Sequence, residues 1–253
     1  MTQKSYAKVN IFLKIAGRRE NYHELVSRFV RVKNLYDEMS FIKKDCDTFT
    51  LEGNFGCETK KNTVYKAFMA LKELSPKVEQ YFKTHYVKVI KRIPEFAGLG
   101  GGSSNAATFM IMVNESCKLG LTKDELAKIS VTIGADVPFF VYEYDSANVT
   151  GIGENVTKYE EEPLKIETVT PNVECNTGVI FSSFRDDFYK EVSQNEGTKL
   201  LGMASLKILE EYDIIEANDL YLPAVTQYDE LKSFAKPKWY FSGSGSSFFR
   251  VVE

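Results

Sequence analysis

The stretch Pro94-Glu-Phe-Ala-Gly-Leu-Gly-Gly-Gly-Ser-Ser-Asn-Ala-Ala107 lies between a predicted strand and a predicted helix, and it is glycine at four of the five positions from 98 to 102. Glycine allows a backbone to turn with positive φ and to present several N–H groups to one anion. Ser103 or Ser104 is expected to cap the following helix, whose dipole favours a phosphate at its N-terminus. The stretch therefore predicts a phosphate-binding loop, with a flexible turn before a helix as the alternative.

The common phosphate-binding motifs do not fit this loop. A Walker loop needs a lysine after its glycines, and here the pair Ser103-Ser104 follows them. A Rossmann fingerprint needs a third glycine where Ser103 lies, and a strand ending in an acidic residue where two helices are predicted. The H-R-D and D-F-G motifs of protein kinases are absent from the sequence. The loop therefore indicates a phosphate site of another class.

The segments around the loop predict strands first and helices later. Residues 7–15 alternate with period two, which predicts a strand whose odd positions face the core and whose Lys8 and Asn10 share the opposite face. Further strands are predicted at 25–32, 38–42, 48–51 and 86–93, and helices at 63–74, 104–119 and 122–133. Because strands and helices do not alternate strictly, the pattern favours an α+β fold over a doubly wound parallel sheet.

A change in composition near residues 147–153 predicts a boundary between two α+β domains, residues 1–150 and 151–253. The second domain is expected to contain strands at 164–170 and 178–181, helices at 205–211 and 224–234, and a final strand pair at 239–241 and 248–252.

Composition excludes several classes of protein. The chain has 253 residues, of which 43% are hydrophobic, so it can bury a sizeable core. A disordered or fibrous protein is thereby excluded. A net charge of −3 gives no basic excess for binding nucleic acid. Four scattered cysteines without a C-x-x-C pair favour a reducing, cytoplasmic location, and two histidines are too few for a histidine-rich metal centre. The longest apolar run, 137–142, is far shorter than the ~20 residues that span a bilayer, and the N-terminus lacks the pattern of a targeting segment.

Four further motifs accompany the loop along the chain. They are Ala7-Lys-Val-Asn-Ile-Phe-Leu13, Asn21-Tyr-His-Glu-Leu25, Gly134-Ala-Asp-Val-Pro138 and Ser242-Gly-Ser-Gly-Ser-Ser247. Together with the loop, this set resembles the GHMP small-molecule kinases over residues 6–249, and within them the members that phosphorylate a CDP-linked methylerythritol.

The resemblance implies a two-domain GHMP kinase fold, with a ribosomal S5 domain 2-like N-terminal domain and a ferredoxin-like C-terminal domain. It implies transfer of the γ-phosphoryl group of ATP, with Mg²⁺, to the 2-hydroxyl of the CDP-linked substrate in the non-mevalonate isoprenoid pathway. A small molecule is then the partner, neither nucleic acid nor membrane is expected, and the enzyme is expected to be a monomer or homodimer.

By the same resemblance, Lys8 and Asp136 are the expected catalytic residues. Phosphoryl transfer needs an oriented hydroxyl, and a carboxylate that accepts its proton beside a cation that offsets charge would serve that need. The alternatives are a solvated strand face for Lys8 and an ordinary turn residue for Asp136. Metal ligands are not indicated.

The expected binding residues fall into two groups. ATP is expected to contact Asn62, Lys91, Pro94, Glu95, Phe96, Ala97, Gly98, Leu99, Gly100, Gly101, Gly102, Ser103, Ser104 and Asn105. Of these, Asn62 and Lys91 match positions that line the adenosine pocket of the family, with a structural role as the alternative. The CDP-linked substrate is expected to contact Asn10, Tyr22, His23, Asp136, Thr177 and Phe181. An aromatic face stacks on a pyrimidine and a histidine can hydrogen-bond its edge, although Phe181 also fits a core strand position.

The sequence leaves two alternative functions open. A related kinase acting on homoserine or mevalonate would have no base to recognise, so Tyr22 and His23 argue against it. A non-catalytic RNA-binding protein is disfavoured by the sequence pI of about 5.7. One departure from the family pattern is Asn21, where a glycine usually precedes the Tyr-His pair.

Overall fold

The structure is a computed structural model that describes residues 1–19 and 22–252. Of Tyr22 it describes the backbone but not the side chain. Contact density divides the chain into two compact units that are interleaved in sequence. Unit 1 comprises residues 1–7, 34–93 and 101–143, and unit 2 comprises residues 8–33, 94–100 and 144–253. The division into residues 1–150 and 151–253 stays a prediction.

Two long strands that pair with each other, β1 (Thr2–Arg19) and β2 (Tyr22–Lys43), run through both units. Every residue from 7 to 13 is buried, so both faces of β1 are covered, not only the face with the odd positions. The strands predicted at 25–32 and 38–42 are parts of one strand, because partner strands bind β2 on both sides of residues 33–37 and keep that segment extended.

In unit 1, β2 pairs antiparallel with β4 (His85–Ile90), which pairs in parallel with the two-residue β3 (Leu51–Glu52). The helices are α1 (Thr63–Leu74), α2 (Pro76–Tyr81), α3 (Gly101–Ser116), α4 (Lys123–Ser130) and α5 (Val137–Tyr142). Helices α1 and α3 pack against each other. The core contains an aromatic cluster in which the rings of Phe49 and Phe68 stack at 4.1 Å.

Local signals explain where these helices begin. Asn62 caps α1 by accepting a hydrogen bond from the N–H of Val64, and the predicted capping box of Thr122 and Glu125 starts α4. Helix α5 was not predicted, since its six apolar residues are too few to reveal a period. The strand predicted at 48–51 shrinks to β3, and β4 ends before residue 91.

In unit 2, β5 (Ser146–Gly151) pairs antiparallel with β2 and with β6 (Asn155–Lys158). A second, antiparallel sheet has the order β7 (Lys165–Val169), β9 (Phe248–Val252), β8 (Tyr240–Phe241), as the predicted final strand pair requires. The helices are α6 (Thr177–Ser183), α7 (Gln194–Gly202), α8 (Ser205–Glu211), α9 (Ile214–Ala217) and α10 (Tyr221–Gln227).

The strand predicted at 178–181 is wrong, because these residues belong to α6. Asn176 caps this helix by accepting from the N–H of Val179, and Ile180 and Phe184 are buried one helical turn apart. A run of four apolar residues cannot distinguish a period of two from a period of 3.6. The helix predicted at 224–234 is divided into α10 and a 3₁₀ turn at 229–234.

Within the described residues, no helix is both long and apolar enough to cross a bilayer.

Candidate functional site

Lys8 has a fixed ammonium group in unit 2. Its Nζ donates to Oδ1 of Asn10 at 2.7 Å and to the carbonyl of Gly98 at 3.1 Å, and it lies 4.6 Å from the ring centroid of Phe29. The backbone N–H of Lys8 donates to the carbonyl of Leu99 at 3.0 Å. Because Lys8 is only 3% exposed, a solvated strand face is the wrong interpretation, and the ammonium is held beside the first half of the glycine-rich loop.

Asn10 uses both ends of its side chain to hold Lys8. Its Oδ1 accepts from Lys8, while its Nδ2 donates to Oγ of Ser27 at 3.0 Å. The hydroxyl of Ser27 in turn donates to the carbonyl of Phe12. These bonds fix the amide, so Asn10 orients the lysine in this structure. Ser27 was not predicted as a site residue.

Residues 94–100 of the loop pack on the second glycine-serine motif, residues 242–247. The carbonyl of Gly98 accepts from the hydroxyl of Ser242 at 3.0 Å, and the carbonyl of Ala97 accepts from the N–H of Ser247 at 3.1 Å. Gly98 has φ +71°, and a Cβ there would lie 2.0 Å from the carbonyl oxygen of Ser242. Only glycine fits at this point.

The second half of the loop forms the start of α3. Gly101 and Gly102 are helical, so Ser103 and Ser104 lie inside the helix and the predicted capping role of either serine is wrong. The first-turn N–H groups of a helix lack intrahelical acceptors and therefore point at any anion placed there. The carbonyl of Gly102 accepts from the hydroxyl of Thr63 at 2.7 Å, which ties this turn to the start of α1.

A buried carboxylate that sequence analysis missed lies next to this turn. Asp37 is fully buried, and its Oδ2 accepts from Nζ of Lys91 at 2.5 Å and from Nδ2 of Asn105 at 2.9 Å. Its Oδ1 accepts from the N–H groups of Arg92 and Ile93 at 2.6 and 2.8 Å. The available signal was its register, since Asp37 occupies the same strand face as the buried Met39 and Phe41 that follow it.

The other residues expected at the ATP site differ in exposure. Asn62 is buried as the cap of α1, and Ala97 and Leu99 are buried apolar residues. Pro94 is half-buried, while Glu95 and Phe96 are exposed. Phe96 has φ +53° and is 55% exposed, an unusual combination for an aromatic residue.

Asp136 directly precedes α5, in helical backbone conformation and half-buried. The carbonyl of Gly134 accepts from the N–H of Val137 at 3.1 Å, which closes the turn that carries Asp136. A Cβ at Gly134 would lie 3.9 Å from Oγ of Ser103. The Gly-Ala-Asp-Val-Pro motif therefore lies beside the first turns of α3.

His23 and Phe181 form an aromatic pair in unit 2. Their ring centroids are 5.1 Å apart with an interplanar angle of 25°, and the edge of Phe184 closes the group at 5.9 Å. Nε2 of His23 is buried and has no hydrogen-bond partner among the described residues. Burial lowers the pKa of His23, and the charges of Arg18 and Arg185 act in the same direction. Asn21 and the side chain of Tyr22 lie outside the described residues.

Thr177 lies at the start of α6, one helical turn before Phe181. Its hydroxyl is hydrogen-bonded to that of Ser244 at 2.8 Å. Because α6 is a helix, Thr177 and Phe181 share a face through a spacing of four residues rather than through strand alternation. Ser244, in the second glycine-serine motif, is a neighbour that sequence analysis did not single out.

Within residues 1–19 and 22–252, no group of three or more His, Cys, Asp or Glu side chains could hold a metal ion. All four cysteines are free thiols, and burial raises the pKa of Cys175 to about 11. An anionic thiolate at Cys175 is therefore disfavoured at neutral pH.

Comparison with known proteins gives consistent results. A family model described as the N-terminal domain of GHMP kinases matches residues 62–144. The 4-diphosphocytidyl-2-C-methyl-D-erythritol kinase of Sulfurimonas denitrificans is 52% identical over 99% of this chain and 96% of its own length. The protein of the same name from Campylobacter jejuni subsp. jejuni serotype O:6 is 36% identical over 98% of this chain and 99% of its own.

Solved structures give the same fold. A crystal structure of 4-(cytidine 5'-diphospho)-2C-methyl-D-erythritol kinase matches with a TM-score of 0.74 and 26% identity, covering 100% of this chain and 90% of that one. The mevalonate kinase of Methanococcus jannaschii matches with a TM-score of 0.63 and 13% identity, covering 100% and 90%. At that identity the second match concerns the fold alone, which is the predicted α+β GHMP kinase fold.

Proposed function

The chain belongs to the 4-diphosphocytidyl-2-C-methyl-D-erythritol kinases of the GHMP kinase family, and we propose that it transfers the γ-phosphoryl group of ATP to the 2-hydroxyl of that CDP-linked alcohol. Kinases of this family use ATP as the phosphate donor. The reaction would supply a phosphorylated intermediate to the non-mevalonate isoprenoid pathway. We further propose a cytoplasmic location, since the four free cysteines suit a reducing compartment.

The glycine-rich loop and the first turn of α3 would bind the phosphates of ATP. The N–H groups of Gly101 and Gly102 belong to that turn, and neither residue has a side chain that would keep a phosphate away. The ammonium of Lys91 lies beside this turn, because a Cβ at Gly101 would be 3.4 Å from its Nζ. The ammonium of Lys91, paired with Asp37, and these backbone donors thus lie close together, which suits a nucleotide site.

Lys8 and Asp136 would perform the chemical step. Asp136 would accept the proton of the 2-hydroxyl, and Lys8, oriented by Asn10, would offset the charge that develops on the transferred group. Mg²⁺ bound to the phosphates would supply further positive charge. It commonly keeps several waters and is held through phosphate oxygens, so the triphosphate itself would supply ligands for this ion.

His23 carries the proposal for the cytidine base. A buried nitrogen without a partner costs about 1–3 kcal/mol, and a hydrogen bond from the cytosine edge would remove that cost. One face of the Phe181 ring already packs on the imidazole of His23, so only the other face is available to stack on the base. Thr177 lies at the N-terminus of α6, the helix that also carries Phe181. There α6 would face the rest of the substrate.

A panel of alcohols tests the proposed function directly. Purified enzyme with ATP and Mg²⁺ is given the CDP-linked substrate, its uridine counterpart, homoserine or mevalonate, and ADP release is measured. We expect turnover with the cytidine compound and strong discrimination against uridine, because a site built for specific hydrogen bonds rejects a ligand that leaves them unpaired. Equal use of cytidine and uridine would refute the role of His23, and turnover of homoserine or mevalonate alone would refute the function.

The substitution Asp136→Asn tests the catalytic assignment. It keeps the shape of the side chain and removes the proton acceptor, so kcat should fall on the order of 10²–10⁴-fold while both KM values change little. The matched control is Asp145→Asn, an exposed aspartate paired with Lys33, which should leave kcat unchanged. A kcat near that of the wild type in Asp136→Asn would leave this residue a structural role only.

The pH dependence of substrate binding tests the state of His23. Because the pKa of His23 lies below the ordinary value of 6.5, the imidazole is neutral at pH 7 and becomes protonated only at lower pH. The KM for the CDP-linked substrate should therefore be constant from about pH 8 to about pH 6.5 and rise below that. This rise should be absent in His23→Gln, and a rise centred above pH 6.5 would contradict a lowered pKa.

A further inference from the structure

Asp37 joins three parts of unit 1 through one carboxylate. It lies in β2, and its four hydrogen-bond donors come from two other segments of the chain. Lys91, Arg92 and Ile93 lead into the glycine-rich loop, and Asn105 lies in the second turn of α3. The carboxylate therefore fixes the lysine, the backbone at the entrance of the loop, and the helix at its exit relative to one another.

The ammonium of Lys91 is held by two side chains and lies close to the start of α3. Its three N–H donors include one for Asp37 and one for Oδ1 of Asn105, at 3.1 Å. The group is near the Cα of Gly101, where an added Cβ would be 3.4 Å from Nζ. A nucleotide bound at the first turn of α3 would therefore lie close to this ammonium.

A purely structural reason for this arrangement is weak. Removing a lysine and an aspartate from water is expensive, and a well-packed apolar pair often stabilises a fold as much or more. Asn105 adds a second constraint, since its amide donates to Asp37 and accepts from Lys91. Two side chains thus restrict one lysine, which otherwise has four rotatable bonds and a mobile charge.

We propose that Asp37 is a positioning residue for the nucleotide, which acts by holding Lys91, a residue expected to contact ATP, in one fixed orientation. The proposal rests on the proposed function, since it assumes that ATP binds at the glycine-rich loop. Asp37 itself touches no phosphate, because its two oxygens are occupied by their four donors. Its effect on binding passes through Lys91 and the loop entrance.

A double-mutant cycle tests the proposal. The dissociation constant of ADP is measured by calorimetry for the wild type, Asp37→Asn, Lys91→Met and the double variant, and KM is measured for both substrates. Each single change should weaken ADP binding by about 10-fold, the worth of one hydrogen bond to a charged group. The KM for the CDP-linked substrate should not change. The double variant should bind ADP no more weakly than Lys91→Met, because Asp37 acts through the lysine.

The matched control is Asp219→Asn. Asp219 is a half-buried carboxylate that pairs with a lysine, Lys14, and accepts from the N–H of Ile15 at 2.8 Å. This variant should lower the midpoint of thermal unfolding without changing ADP affinity. If Asp37→Asn does not fold, Lys91→Arg replaces it, since a guanidinium keeps the charge but cannot take the place of the ammonium between Asp37 and Asn105.

The outcomes distinguish a failure of the proposed function from a failure of the role of Asp37. A wild-type enzyme that fails to bind ADP or to release it from ATP would refute the proposed function itself. Unchanged ADP affinity in folded Asp37→Asn, or in Lys91→Arg, would refute only the role of Asp37. Additive effects in the double variant would likewise overturn it, because they would mean that Asp37 and Lys91 act independently.

Discussion

Residues 94–100 and residues 101–105 are consecutive parts of one glycine-rich stretch, yet they belong to different units and are held by different kinds of contact. In the first part backbone meets backbone: the N–H of Lys8 donates to the carbonyl of Leu99, and the N–H of Ser247 donates to the carbonyl of Ala97. In the second part the contacts come from side chains, chiefly those of Asp37 and Thr63. One glycine-rich stretch is thus held in two different ways.

The difference determines what each part tolerates. Where backbone packs on backbone, a single added methyl group has nowhere to go, so substitution should disturb the fold. Where side chains hold a helix turn, a small change can shift the ammonium of Lys91 and leave the fold intact. We therefore expect stability to report on the first part and ATP affinity to report on the second.

Gly98→Ala should have the largest effect. The new Cβ would lie 2.0 Å from the carbonyl oxygen of Ser242, at φ +71°. We expect a loss of about 2–4 kcal/mol in the free energy of unfolding and a fall in kcat/KM of more than about 100-fold. Chemical denaturation and steady-state kinetics measure the two quantities.

Gly120→Ala is the control for that variant. Gly120 has φ +73° but nothing within 4 Å of an added Cβ, so it isolates the cost of positive φ, about 1 kcal/mol. Its kcat/KM should equal that of the wild type. Similar losses of stability in the two variants would show that conformation, and not close packing on Ser242, is what requires glycine at position 98.

Gly101→Ala should have an intermediate effect, seen in affinity rather than stability. Gly101 is helical, and an added Cβ would lie 2.9 Å from Cγ2 of Ile93 and 3.4 Å from Nζ of Lys91. The gain in helix propensity, about 1 kcal/mol, should offset the crowding. We expect the KM for ATP to rise about 3- to 10-fold with little change in unfolding. A loss of stability as large as that of Gly98→Ala would remove the contrast between the two parts.

Phe96→Gly should have the smallest effect, and in the opposite direction. Phe96 lies in the first part of the loop with φ +53° and 55% of its surface exposed, so glycine would relieve about 1 kcal/mol of backbone strain. We expect a higher midpoint of thermal unfolding and an ATP KM within about 2-fold of the wild type, because the expected contact of Phe96 with ATP would be made by its backbone. A large rise in that KM would instead mean that the strained ring contacts the nucleotide.

Local signals in the sequence, such as helix caps and turn residues, predict much of the fold. Helix α1 spans Thr63–Leu74 as predicted, because the cap Asn62 and the pair Ser75-Pro76 mark its ends. Helix α8 spans Ser205–Glu211, also as predicted, although no side chain caps its N-terminus. Helix α6 was predicted as a strand, since its apolar run is too short to define a period. The family resemblance supplied the site residues, and their roles stay predictions.

Asp37 illustrates what sequence reasoning could not reach. Its donors Lys91 and Asn105 are 54 and 68 positions away, and no spacing rule connects residues so far apart. An aspartate between apolar strand residues signals only that some buried partner exists. The same limit explains Ser27 and Ser244, whose partners are apparent only after the chain has folded.

The pairing of β2 has a consequence for biosynthesis. Residues 38–43 of this strand bind β4, which follows within 47 residues of the strand's end, whereas residues 25–30 bind β5, which begins only at Ser146. While the ribosome is still making the segment between, the run Leu25-Val-Ser-Arg-Phe-Val30 lacks that partner strand. One edge of this strand in the nascent chain therefore stays unpaired for several seconds, at about 5–20 residues per second. Non-native strand pairing at residues 25–30 should be easiest during this interval of translation.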